Sequence, residues 1–344
     1  MTRITGIIDC DPGVDDSMAI LLALGSPELD LQAITLVLGN SPDMTLMGDN
    51  ACRLLNRCGV THVPVVKGCT EPLNGRGYHG QSGQLVHGAD AQGNLFERPC
   101  TEAERAPLRL HMYRDAADCI IQHCLAAPGT ITLVTLGPLT NIATALRRAP
   151  GLAAAVKAVY MMGGAFHGRG NKGPATEANI GNDPEAAQEV FRQLAGKITV
   201  AHLGLTHQLS LAELLSRLRR LNTAATRYID RITRHYELIL TKWGETPVPI
   251  HDSTAVLALL RPDLFTCETR YVMVETQGEF TRGMTVADWW NHYGRAPADG
   301  TQILQGFMEG GMEEYYQDFV RRIAQCPYVE EVEQVEQTDI LLKI

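Results

Sequence analysis

The chain has 344 residues, 45% of them hydrophobic, which is enough to bury a large core. Its formal charge of −9, with no basic run, argues against an electrostatic grip on nucleic acid or an anionic membrane and favours a small-molecule ligand. Nine cysteines without a Cys-x-x-Cys pair give neither a disulfide framework nor a zinc pattern, and neither a secretory signal nor a membrane-spanning run is evident, so the expectation is a soluble cytoplasmic protein with reduced thiols.

In chain order, Ile4 to Ile8 reads as a buried strand that ends where four carboxylates begin: Asp9, Asp11, Asp15 and Asp16. Pro12-Gly13 sharpens the turn, and Asp16 to Leu24 reads as a helix whose N-terminus adds positive potential beneath Asp15 and Asp16. Leu31 to Leu38 is a second strand closed by Gly39-Asn40, followed by a helical pattern from Met44 to Cys58 and a short strand from Val63 to Lys67. Such alternation predicts βαβ units on a mostly parallel sheet, with ligands at the carboxyl ends of its strands.

Residues 68–107 break the pattern with many glycines and read as one long functional loop. Helix Arg109 to Ala127, strand Ile131 to Leu136, helix Leu139 to Ala149 and strand Val156 to Met162 restore it. A second polar, glycine-rich loop covers 165–183, ahead of a helix to Leu194 and a strand from Ile198 to Leu203. Residues 209–242 are largely helical, and His251-Asp252 opens another helix to Leu260. Thr269 to Glu275 and Gly283 to Ala287 read as short strands, and Gly311 to Ala324 as an amphipathic helix. With no linker or repeat, residues 1–325 are expected to be a single domain, followed by a C-terminal extension over 326–344.

Four like charges in eight residues call for a cation, and carboxylate oxygens suit a hard ion such as calcium or magnesium. If the strand ends converge, Asp9, Asp11, Asp15, Asp16, Asn40, the turn at Leu136, Glu177, Asn179 and Asp252 share one rim of oxygen and amide groups. Metal-bound water beside a spare carboxylate is an activated nucleophile, so the expected reaction is hydrolysis. An EF-hand does not fit, since Val14 and Ile20 stand where its glycine and final acid belong. A haloacid-dehalogenase-type phosphatase matches Asp9-x-Asp11 but not the residues after it, and a calcium-stabilised binding protein without catalysis is the rival of another class.

Taken together, Asp9-Cys10-Asp11-Pro12-Gly13-Val14-Asp15-Asp16, Gly39-Asn40, His79-Gly80-x-Ser82-Gly83, Gly137-Pro138-Leu139-Thr140-Asn141, Met162-Gly163-Gly164, Glu177-x-Asn179, Asp183-Pro184-Glu185-Ala186, His251-Asp252 and Arg282-Gly283-x-Thr285 resemble the inosine-uridine preferring nucleoside hydrolases. The resemblance implies an open α/β fold, one calcium ion, and hydrolysis of ribonucleosides to base and ribose by a homodimer or homotetramer serving nucleoside salvage. By position it implies that Asp11, Asp16, the carbonyl of Leu136 and Asp252 bind calcium, and that Asp15 is the general base. Asn171, Glu177 and Asn179, with Met162 nearby, would bind the sugar, and Asn40 would order the water and Asp15. His251, with His79 as second candidate, would assist departure of the base.

Overall fold

The structure is a computed structural model that describes residues 3–76, 81–96, 98–108 and 112–329; the side chains of Gln81 and Ser82 lie outside that description. Ten strands are present among the described residues: β1 (Ile4–Cys10), β2 (Leu29–Leu36), β3 (Val65–Lys67), β4 (Ile131–Thr135), β5 (Ala158–Met162), β6 (Ile198–Ala201), β7 (Phe265–Arg270), β8 (Val272–Val274), β9 (Thr285–Ala287) and β10 (Thr301–Phe307). Eight of them form one sheet in the order β3-β2-β1-β4-β5-β6-β10-β7, parallel throughout except at the β10–β7 edge. The chain steps outward from β1 to β3 and then returns with β4 on the other side of β1. That reversal opens a crevice at the carboxyl ends of β1 and β4, where sheets of this kind bind ligands.

The period of two along each strand divides the core. Ile8, Cys10, Ile34 and Leu36 face the helices Val14–Leu24, Asp252–Leu260 and Gly311–Gln325, whereas Ile7, Ala33 and Leu133 face Ala116–Ala126, Thr140–Arg148 and Pro184–Gln193. Helix Asp252–Leu260 is apolar on nearly every side and is buried against helix Val14–Leu24 and β5. Burying one Leu or Val side chain stabilises the fold by about 1.5–3 kcal/mol, so this segment pins Asp252 at its N-terminus firmly.

Several expectations change, among them the helix expected over Arg109 to Ala127, which begins at Ala116, and the loop expected over 68–107, which holds a helix at Gln81–His87. Helix Val14–Leu24 begins two residues earlier than the sequence suggests, because Asp16 accepts the Gly13 N–H at 2.9 Å and closes the turn from inside. The strand expected over Thr269 to Glu275 breaks at Tyr271: β7 joins the main sheet, while β8 pairs with β9 in a separate ribbon. Strand β10, which the pattern does not announce, holds two glutamines and Gly306, and its register against β7 slips between Leu304 and Gly306. Its neighbours β6 and β7, not its composition, make it a strand.

Candidate active site

The acid turn follows β1 directly, and alternation sends its carboxylates to different places. Asp9 points behind the turn, where its Oδ1 accepts from Thr35 Oγ1 (2.6 Å) and Asn141 Nδ2 (2.7 Å). Cys10 turns to the opposite face and is core. Asp11 and Asp15 line a cavity of about 420 Å³, and Asp16 lies immediately beneath them. Asp16 accepts the N–H groups of Asp11 (3.2 Å) and Gly13 (2.9 Å), so the turn is tied by its own acid.

Asn40, at the end of the segment after β2, completes this near wall. Its N–H donates to Asp11 Oδ2 at 2.8 Å, and its Nδ2 donates to the Asp11 carbonyl and Asp16 Oδ2, both at 3.0 Å. Asn40 therefore orders Asp11 and Asp16. Gly39 allows this approach, since a Cβ there would lie 1.7 Å from Asp11 Oδ2. The approach of helix Gln81–His87 is equally close: a Cβ on Gly83 would lie 2.6 Å from Asn40 backbone atoms.

The opposite wall comes from the ends of β4 and β5 and from the loop over 165–183. Asn179 Nδ2 donates to the carbonyls of Leu136 (2.7 Å) and Met162 (3.1 Å) and so binds the two strand ends together. Glu177, buried, accepts the N–H groups of Gly164, Asn179 and Ile180. Asn171 lines the cavity mouth and accepts the Ala178 N–H at 2.9 Å. Leu136, Met162, Asn171, Glu177, Asn179, His251 and Asp252 thus share the cavity with Asp11, Asp15 and Asn40. His79 lies outside the described residues.

Whether these residues fit a cation is answered by their oxygens. Asp11 Oδ1 and Asp15 Oδ1 are buried and have no hydrogen-bond partner among the described residues. Carboxylate oxygens of Asp15, Asp16 and Asp252 lie within 4.8 Å of one another. Asp11 stands beside this trio, one oxygen held by Asn40 and the other bare. Burial, then mutual repulsion, pushes Asp11 and Asp252 well above the usual carboxylate range; burial and the charge of Asp15 push Asp16 up to about 7, and burial pushes Asp15 to about 6. Acids so placed cannot all stay ionised without a counter-ion, and an all-oxygen set of carboxylates and carbonyls is suited to calcium.

His251 is buried at the cavity edge, with Nδ1 2.9 Å from Thr206 Oγ1. The sequence reading missed a second imidazole, His87, at the end of helix Gln81–His87. Its Nδ1 accepts the Val14 N–H (3.0 Å) and lies 3.7 Å from Asp15 Oδ1, and its ring packs on Tyr236 at 5.4 Å. Burial lowers His251 to about 3 and His87 to about 4. The signal for His87 is present in the chain: His87-Gly88 is a second His-Gly pair after His79-Gly80, followed by Gly93-Asn94. Tyr236 and Trp243 also line the cavity, and Arg169 bridges its mouth to Glu245 at 3.1 Å.

Buried acids and amides around a sugar-sized cavity at a strand switch point define a hydrolase-type centre, and comparison with known proteins identifies which. The sequence pattern of the inosine-uridine preferring nucleoside hydrolases matches residues 6–309. An inosine-uridine preferring nucleoside hydrolase from Leishmania major is 38% identical over 298 residues, covering 86% of this chain and 91% of its own. A pyrimidine-specific ribonucleoside hydrolase, RihA, from Citrobacter koseri is 37% identical over 317 residues, covering 88% and 95%. The structure of a purine-preferring ribonucleoside hydrolase from Gardnerella vaginalis superposes with a TM-score of 0.81 at 29% identity, covering 94% of this chain and 99% of that one. The chain belongs to the inosine-uridine preferring nucleoside hydrolase family. Among the described residues no helix is long and apolar enough to cross a membrane.

Proposed function

We propose that the chain hydrolyses the N-glycosidic bond of ribonucleosides to free base and ribose, with calcium held by Asp11, Asp16, Asp252 and the carbonyl of Leu136. The observation that carries this reading is the pair of bare, buried carboxylate oxygens, Asp11 Oδ1 and Asp15 Oδ1, facing the amide-lined wall of one cavity. Calcium, held by these residues, would supply the positive charge that balances the acids, would lower the pKa of a water and would favour binding of the ribose hydroxyls.

Asp15 takes the proton of the attacking water on Oδ1, which is buried without a hydrogen-bond partner among the described residues and lies 3.7 Å from His87 Nδ1. As the base departs, the ribosyl group gains oxocarbenium character, and the carboxylates around it stabilise that charge. Asn171, Glu177, Asn179 and Met162 hold the sugar. Because Glu177 already accepts three backbone N–H groups, its contribution is a fixed carboxylate rather than a mobile one. His251 and His87 assist the leaving base as neutral rings. In His87 the ring hydrogen must sit on Nε2, since Nδ1 accepts from Val14, and it is therefore a donor.

The reading includes nucleoside salvage in the cytoplasm by a homodimer or homotetramer, which sedimentation velocity tests. The deciding assay incubates the protein with inosine, uridine, cytidine and adenosine in calcium and measures reducing sugar. Release of ribose from at least one is expected. A protein with calcium bound that returns all four nucleosides intact is a binding protein, and the hydrolytic reading falls.

A further inference from the structure

Gln92 is fully buried behind the acid turn and does not line the cavity. Its amide is saturated. Ser17 Oγ spends its own hydrogen on the Gly13 carbonyl (2.6 Å) and accepts from Gln92 Nε2 at 2.8 Å. The second Nε2 hydrogen is shared between the carbonyls of Gly13 (3.1 Å) and Ala91 (3.0 Å), and the Tyr228 hydroxyl donates to Oε1. The loop that carries Gln92 is bent around Asp90, whose carboxylate accepts the N–H groups of Gln92 (2.8 Å), Asn94 (2.8 Å) and Phe96 (2.7 Å). Within it Ala91, also fully buried, takes φ 55°, a left-handed conformation that residues with a Cβ seldom adopt and that persists only where the surroundings over-determine it.

Gln92 and His87 grip one peptide group from two sides. The Gly13 carbonyl and the Val14 N–H belong to a single amide plane; Gln92 takes the carbonyl, and His87 Nδ1 takes the N–H at 3.0 Å. Gly13 permits the approach, since a Cβ there would lie 2.6 Å from His87 Nδ1. The other side chains bonded to Gly13, those of Asp16 and Ser17, belong to the turn and move with it, so they cannot fix it relative to the segment of His87. One bond from Val14 would leave the imidazole free to swing; a second attachment five residues further along the same segment removes that freedom. We propose that Gln92 is a positioning residue: by holding the Gly13 carbonyl it fixes the Gly13–Val14 peptide and, through the Val14 N–H, the placement and ring hydrogen of His87 beside Asp15. Its consequence for catalysis rests on the hydrolytic roles given above to Asp15 and His87.

Two readouts test this. In NMR of protein isotope-labelled at the histidine nitrogens, His87, assigned by its loss in His87→Ala, is expected as a single tautomer with no hydrogen on Nδ1. In Gln92→Met, similar in size but without hydrogen bonds, the two tautomers should mix. In the sugar assay Gln92→Met should lower kcat by about fivefold, less than loss of His87 itself, with KM held within about twofold. Added to His87→Ala it should cost nothing further, because two residues that act as one are not additive. Gln92→Asn, one methylene shorter, keeps an amide in the core and serves in place of the Met variant where that one does not fold. An unchanged His87 spectrum in a folded Gln92 variant overturns the proposal, as do losses that multiply in the double variant, the mark of a purely structural residue. If the unmodified chain releases no ribose, the hydrolytic reading falls, and the spectrum by itself decides whether Gln92 fixes His87.

Discussion

The two walls of the active-site cavity are built on opposite plans. The near wall is mainly local: Asp11, Asp15 and Asp16 lie within six residues, the turn is tied by hydrogen bonds of its own chain to Asp16, and Asn40 is added from the segment after β2. The rest of the cavity is assembled from distant segments, with Asn179, Tyr236, His251 and His87 brought together by tertiary contacts. A local wall concentrates charge cheaply but cannot relieve it. The assembled wall supplies the shape and neutral donors that a nucleoside needs, at the cost of ordering several loops.

Breaking the near wall should have the largest effects. Chelating calcium is expected to bring nucleoside hydrolysis to background and to lower Tm, because the buried carboxylates then face one another uncompensated; activity and Tm should both return with added calcium, as followed by calorimetry and the sugar assay. For Asp15→Asn, kcat should drop by about 10² or more, the usual contribution of a general base, with calcium content measured to show that the ion remains. A near-normal rate in that variant would falsify the role given to Asp15.

Gly39→Ala separates metal binding from catalysis. Its Cβ would meet Asp11 Oδ2 at 1.7 Å, so Asp11 must move and leave Asn40; a calcium affinity weaker by about 10–100-fold, the usual scale for disturbed supporting contacts, is expected in a calcium titration. An unchanged affinity would remove Asp11 from the ligand set.

The far wall should respond more gently. His87→Ala is expected to lower kcat for nucleosides by roughly tenfold, below the roughly 10² to 10⁴ of a full general acid because a neutral ring only donates a hydrogen bond, while calcium affinity holds. His79→Ala run beside it tells which histidine of this loop matters. Smallest in activity is Asn141→Ala, which loses bonds to Asp9 (2.7 Å), the Leu36 carbonyl (2.9 Å) and the Cys69 N–H (2.9 Å) behind the sheet. It should reduce stability by about 1–3 kcal/mol in denaturant unfolding, with KM unchanged.

What the amino-acid order determined by itself was whatever is encoded over a few residues: the strand that ends in acids, the turn at Pro12-Gly13, the alternation that makes a parallel sheet, and the oxygen-rich chemistry of Asp11, Asp15, Asp16 and Asp252. Period-two and helical hydrophobic patterns carry that information because burial of each segment depends on its own side chains. Tertiary structure alone decided the rest. It turned Asn40 toward Asp11 and Asp16, gave Glu177 three backbone N–H groups, made a strand of Thr301–Phe307, and delivered His87 to Asp15 from 72 residues away in the chain. Such contacts depend on how separate segments pack and on glycines at 39 and 83 that let backbone approach backbone, and no local pattern fixes those distances.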